Sequence, residues 1–180
     1  MTRQTGLMSM YTIEAFILMD TEGKRIIAKY YNHVMPTLKE QAAFEKNLFD
    51  KVRRQPGGEI LMLDGHIVTY KNSVDTFMVI VGSLEENELL LANVLQVFHE
   101  ALTILLKGPP EKRAMMEHMD VVVLALDETI DEGVILEAEP NVIASRITRR
   151  VADNDLPLSE QSLTQALQSA RDQLAKSLLS

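Results

Sequence analysis

The chain has 180 residues, 46% of them hydrophobic, a net charge of −8 and no cysteine. A chain of this length buries roughly 70% of the surface its unfolded form exposes, so a core forms without disulfides or metal. The missing cysteines exclude a disulfide scaffold, a thiolate zinc site and a cysteine nucleophile, and the acidic balance argues against direct binding of nucleic acid or anionic lipid.

Before Glu14 no apolar run of signal-peptide length occurs. Gly6 is not placed for myristoylation, and Ser177-Leu178-Leu179-Ser180 carries no prenylation cysteine. Any work at a membrane is therefore expected to depend on another molecule.

Tyr11 to Met19 reads as a strand with both faces apolar: Ile13, Ala15, Ile17 and Met19 on one, Phe16 and Leu18 on the other. Asp20-Thr21-Glu22-Gly23 is a turn, and Arg25 to Tyr31 is the partner strand. Thr37-Leu38-Lys39-Glu40 is a capping box. The helix after it should run to about Arg54, with Phe44, Leu48 and Val52 inward, Leu38, Ala42 and Phe49 widening that face, and Gln55-Pro56-Gly57-Gly58 ending it.

Three short strands follow, over Ile60 to Leu63, His66 to Lys71 and Thr76 to Val81. Asp64-Gly65 between the first two tolerates the positive φ of a type I′ hairpin turn. Asn72-Ser73 is expected to begin the next turn. Ser83-Leu84-Glu85-Glu86 reads as a second capping box, opening a helix to about Lys107. Asn93, Gln96, Glu100, Thr103 and Lys107 form one polar stripe on it, which rules against a membrane span. Pro109-Pro110 should start a further helix through about Ile130, stopped by Gly133. Val134-Ile135-Leu136 is apolar and extended, and Asn141 to Arg150 is a short helix. Asp153 to Pro157 reads as a linker before a last helix with Leu163, Leu167, Ala170, Leu174 and Leu178 on one face.

Hairpin-length connections imply an antiparallel sheet, and long helices must cover it. The expected class is α+β: a five-stranded antiparallel sheet flanked by helices, plus a C-terminal helical tail. This order resembles the longin-type fold. It divides the chain into a longin-like body over 10–150, a linker over 151–157 and a C-terminal helix over 158–180.

Several patterns in the sequence bear on chemistry. His99-Glu100 begins like a zinc-protease motif, but Thr103 stands where the second histidine is required. Asp127, Glu128, Asp131 and Glu132 are the densest carboxylate cluster and could hold magnesium through bridging phosphates. No phosphate loop accompanies them, so a solvated helix end is the expected reading. Arg146, Arg149 and Arg150 form a small basic face suited to local carboxylates or a partner. Met115, Met116 and Met119 sit at helical spacing, in the core or on an adaptable binding face. With Leu91, Leu95 and Phe98 they are the candidate partner-interface residues. No catalytic, cofactor-binding or metal residues are assigned, and no cofactor is expected.

Several blocks together carry a family resemblance. Lys29-Tyr30-Tyr31, Glu40-Gln41-Ala42-Ala43-Phe44-Glu45-Lys46, Glu86-Asn87-Glu88-Leu89-Leu90-Leu91, Glu111-Lys112-Arg113-Ala114 and the run from Leu126 to Glu137 resemble the coatomer zeta family. Clathrin-adaptor sigma chains share the fold and a similar Leu126-to-Glu137 region, and a sigma-type chain or a longin regulatory domain is the alternative. The resemblance implies a non-catalytic light chain of the heptameric COPI coat that pairs with the large gamma subunit. It implies recruitment by an ARF-type GTPase to the cytosolic face of Golgi membranes, for retrograde Golgi-to-endoplasmic-reticulum and intra-Golgi transport. Membrane contact would be peripheral, through the complex, and no nucleic acid would be bound.

Overall fold

The computed structural model describes residues 13–31, 33–54 and 59–155. The central sheet contains β1 (Ala15–Asp20), β2 (Arg25–Tyr30), β3 (Ile60–Leu63), β4 (His66–Ser73) and β5 (Thr76–Ser83). Their order is β2-β1-β5-β4-β3 and every pairing is antiparallel. The helices are α1 (Leu38–Val52), α2 (Glu88–Leu105), α3 (Lys112–Glu117), α4 (Met119–Thr129) and α5 (Pro140–Asp155). A second, two-stranded sheet joins β6 (Ile130–Asp131) to β7 (Val134–Ile135). This is the α+β longin-like fold expected from the sequence. The chain divides within α5 into two units, Met1–Ala144 and Ser145–Ser180. Residues 151–155, read as the start of a linker, have helical backbone. The expected helix over 158–180, the linker residues 156–157 and the Gln55-to-Gly58 stop lie outside the described residues.

Both faces of β1 are apolar because both are covered. Ala15, Ile17 and Met19 join Val68, Tyr70, Val79 and Val81 under Phe44, Leu48 and Val52 of α1. On the other face Phe16, Leu18, Met78 and Ile80 are buried, and α2 packs over β4, β5 and α4. Phe16 and Phe98 meet edge to face there, with ring centroids 4.9 Å apart. Each such buried side chain contributes about 1.5–3 kcal/mol.

Charge does part of the work on α1. Leu38 and Ala42, expected to widen its apolar face, are exposed, while the charged Glu45 is buried. Glu45 has three donors that make burial tolerable: Arg25 at Nε (3.0 Å) and at a terminal nitrogen (2.7 Å), and the Tyr30 hydroxyl (2.8 Å). Burial and the Glu45 carboxylate push the Tyr30 hydroxyl well above its ordinary pKa. Phe49 lies across the β1–β2 turn, where a Cβ on Gly23 (φ +80°) would fall 2.5 Å from its ring.

Several element ends differ from expectation for identifiable reasons. The Thr37–Glu40 capping box forms as read. The Ser83 box does not cap α2: it closes a turn, and Asn87 Oδ1 accepts from the Leu89 and Leu90 amides instead. α2 ends in a left-handed residue, but Lys107 (φ 55°) takes that role and Gly108 follows, its amide bonded to the Thr103 carbonyl. The β4–β5 turn falls at Val74-Asp75, after β4 has run on through Ser73. The expected single helix from Pro109 is two, α3 and α4, broken at His118 (φ −121°, ψ 43°). Gly133 does not stop α4: Ile130 is already extended against Ile135, and Glu132-Gly133 (φ 48° and 84°) turn that hairpin. Asp64-Gly65 (φ 49° and 85°) make the other positive-φ turn, as the sequence predicts.

The end of β1 is tied to α3 by side chains. Asp20 is buried and accepts from the Glu22 and Lys24 amides (3.0 and 2.8 Å) and from Lys112 Nζ (2.9 Å). Asp75 caps the Lys112 amide at 2.7 Å, and Ser73 donates to the Pro110 carbonyl at 2.9 Å. Burial alone would raise the Asp20 pKa, but Lys112 and the two amides hold it below its ordinary value of 3.8. A depressed folded value stabilises the fold above the unfolded pKa, and that stability is lost as pH falls through the folded one.

Two predictions follow from this packing. Phe98→Ala should cost about 3–5 kcal/mol of unfolding free energy, read from urea denaturation. Asp20→Asn should lower stability at neutral pH and flatten its fall between about pH 5 and pH 3. Parallel pH curves for the variant and the parent would contradict that role.

Candidate functional site

Several of the groups singled out as possible chemistry have structural partners. Lys29 on β2 forms an ion pair with Asp127 on α4, which ties that helix to the sheet. Glu128 is buried, whereas Asp131 and Glu132 face solvent at the β6–β7 hairpin. Burial, with Asp127, Asp131 and Glu132, raises the pKa of the neighbouring Tyr31 hydroxyl. His99 is half-buried on α2, and burial and Lys71 lower its pKa. Its carbonyl accepts from the Thr103 hydroxyl at 2.9 Å, the position where a zinc motif would need histidine. His66 Nδ1 lies 2.6 Å from Glu14 Oε2. Among the described residues no group of three or more His, Asp or Glu side chains surrounds a common centre. Arg146, Arg149 and Arg150 are exposed on α5.

A protein-binding surface needs exposed apolar side chains, and the six candidates divide on that criterion. Leu91, Leu95 and Phe98 are buried on the inner side of α2. Met115 is likewise fully buried. These four side chains belong to the core of the chain itself and offer no outward surface. Met119 is half-buried. Met116 is the exposed member, at 54%. It lines a small depression with Asp20, Lys24, Arg25, Ile26 and Lys112, where Lys112 pairs with Asp20. Met115 and Met116 are consecutive in α3, so they point about 100° apart, and the packing of that helix leaves Met116 outward.

Other outward apolar groups were not singled out from the sequence. Leu89 and Leu90 at the start of α2 and Ile104 at its end interrupt its polar stripe. Leu89 borders a groove of about 310 Å³ with Ala92, Asn93, Gln96, Lys71 and Glu59. Ile60 and Met62 stand out from β3. Their signal was an apolar run with no alternation, which at a sheet edge must leave one side in solvent. Among the described residues α2 is the one helix long and apolar enough to cross a membrane, but its inner side is buried in the protein core.

Comparison with known proteins matches this architecture. The family model "Clathrin adaptor complex small chain" matches residues 12–154. Coatomer subunit zeta-1 of Homo sapiens is 44% identical over 171 residues, covering 95% of each chain. Coatomer subunit zeta-2 of Mus musculus is 45% identical over 171 residues, 95% of this chain and 82% of the relative. The rice coatomer subunit zeta-1 (Oryza sativa subsp. japonica) is 43% identical over 171 residues, 93% of this chain and 97% of the relative. A chain in a homology model of the full-length AP-3 complex in a stretched open conformation superposes with a TM-score of 0.61. It covers 89% of this chain and 98% of its own at 15% identity, a likeness of fold. The chain therefore belongs to the adaptor small-chain family and, within it, to the coatomer zeta subunits.

Proposed function

We propose that this chain is the non-catalytic small subunit of the COPI vesicle coat, clasped by a large gamma-type subunit. The observation that carries this reading is 44% identity to coatomer zeta over 95% of the chain. The exposed Leu89, Leu90, Ile104 and Met116 supply apolar surface that a larger subunit could cover. In this reading the coat is recruited to the cytosolic face of Golgi membranes by an ARF-type GTPase. It carries retrograde Golgi-to-endoplasmic-reticulum and intra-Golgi traffic, and the chain contacts the membrane only through the complex. Its contribution is mechanical, and no reaction is assigned to it. The body is proposed to fold independently of residues 156–180.

Co-expression with a gamma-type trunk tests the pairing. Binding to the folded state alone raises stability by mass action, about 2.7 kcal/mol at a hundredfold excess over the dissociation constant. The complex should therefore co-purify and melt higher than the lone chain, and failure on either count rejects the reading. Met116→Asp should change the stability of the lone chain by no more than about 0.5 kcal/mol, because the side chain is largely in solvent. The same substitution should weaken pairing roughly tenfold if Met116 is covered, and unchanged affinity would place the interface elsewhere. Truncation after Asp155 should leave a cooperative thermal transition, whereas an insoluble or molten product would refute the independent body.

A further inference from the structure

The sheet has two edges, and they are built differently. β2 carries Lys24, Arg25 and Lys29 at or beside its length, and the β1–β2 register shifts between Leu18 and Met19. Charges and an irregular register blunt an edge against further pairing. β3 has neither device. Its residues Ile60-Leu61-Met62-Leu63 are all apolar and uncharged, and the β3–β4 register is uninterrupted. Met62 is 69% exposed and Ile60 41%.

The register also assigns the backbone groups. Leu63 and His66 flank the two-residue Asp64-Gly65 turn, and the Tyr70 amide bonds to the Glu59 carbonyl at 2.9 Å. Antiparallel bonding alternates along a strand, so Leu63, Leu61 and Glu59 turn their amides and carbonyls toward β4. Ile60 and Met62 then turn theirs outward. The Met62 carbonyl confirms this geometry, because it accepts from Lys51 Nζ of α1 at 3.3 Å.

We infer that the outer edge of β3, with which no second strand pairs among the described residues, accepts an extended segment of another polypeptide, in which apolar and acidic residues alternate. Lys51 would exchange its bond to the Met62 carbonyl for a carboxylate of that segment. The alternation follows from what lies on each side of the sheet. Leu61 and Leu63 face the α1 side, where both pack with the core. A strand added beside β3 would send every second residue toward that side, against the exposed end of α1. There Lys51 and Arg54 line an open depression of about 460 Å³ with Asp50, Leu61 and Met62. Asp50 is already held by Arg53 at 2.9 Å, so among the described residues Lys51, which only a carbonyl holds, and Arg54 leave a net positive charge facing an added strand. Carboxylates fit that row. The intervening residues would lie beside Ile60 and Met62, where apolar side chains fit. Outward main-chain groups supply affinity and the two side-chain rows supply selectivity, the usual division of labour in strand addition. A second copy of this chain fits less well, because its own β3 has no acidic residue and would bring Lys51 and Arg54 of both copies together. This inference goes beyond the pairing with a large subunit and does not depend on it.

The test uses the full chain and two blocked nine-residue peptides, one alternating glutamate with valine and one alternating lysine with valine. Calorimetric titration should show saturable binding of the glutamate peptide, with the lysine peptide weaker by at least roughly tenfold. Hydrogen exchange at the Ile60 and Met62 amides should slow on binding. Met62→Pro removes one outward donor without touching a β3–β4 bond, and it should lower affinity by roughly tenfold or more. If that variant melts lower than the parent, the double variant Ile60→Lys with Met62→Lys serves in its place. No binding of the glutamate peptide, equal binding of both peptides, or undiminished binding to the variants overturns the proposal. Self-association that the same variants abolish, without peptide binding, would assign the edge to a second copy instead.

Discussion

The structure depends on one constraint: β1 is buried along its whole length, on both faces. A strand with Phe16 and Leu18 on one side and Ile17 and Met19 on the other cannot lie on a surface. It must sit inside a sheet, here between β2 and β5, and the sheet must be covered above and below. α1 covers one face and α2 the other, with α4 packed against α2. Each helix is amphipathic to the extent this demands. α2 is apolar over most of its circumference because it touches both the sheet and α4, and its wet residues shrink to a stripe.

Polar contacts then decide where the covering elements stop and turn. Glu45 anchors α1 to β2 through Arg25 and Tyr30. Lys29 anchors α4 to the same strand through Asp127. Asp20 and Asp75 hold the first residue of α3 from two different turns. These contacts join residues far apart in the chain; those to Glu45 and Asp20 satisfy carboxylates that are buried, whereas the Lys29–Asp127 pair is half-exposed. The densest acidic run of the sequence is thereby partly explained as structure. Asp127 serves a lysine and Glu128 is buried, while Asp131 and Glu132 face solvent.

A light chain of a coat has to be rigid in its interior and apolar at chosen points outside. The division among the methionines illustrates both demands. Met115 fills the core with a flexible side chain, and its neighbour Met116 stands in solvent beside three bases. The sheet edges show a similar division, with β2 guarded by charge and β3 left apolar.

The sequence alone determined the elements whose signals are local. Hydrophobic alternation and run length placed β1 to β5, the Thr37–Glu40 box started α1, and Asp64-Gly65 turned its hairpin. It also determined the family, through several separated blocks in order. The tertiary structure decided what depends on distant partners. Ser83 carried a capping signature, yet Asn87 caps α2, because the chain first completes a turn off β5. Two prolines precede α3, yet its first amide is capped by Asp75 from the β4–β5 turn. Glu45 is charged, yet it is buried, because Arg25 and Tyr30 of β2 hydrogen-bond its carboxylate. Leu91, Leu95, Phe98 and Met115 are buried within the fold, while Met116 and Met62 are left outside. Periodicity reports which side of an element is apolar. Whether that side meets its own sheet, another helix or water is set by packing between residues remote in the chain, which no local pattern encodes.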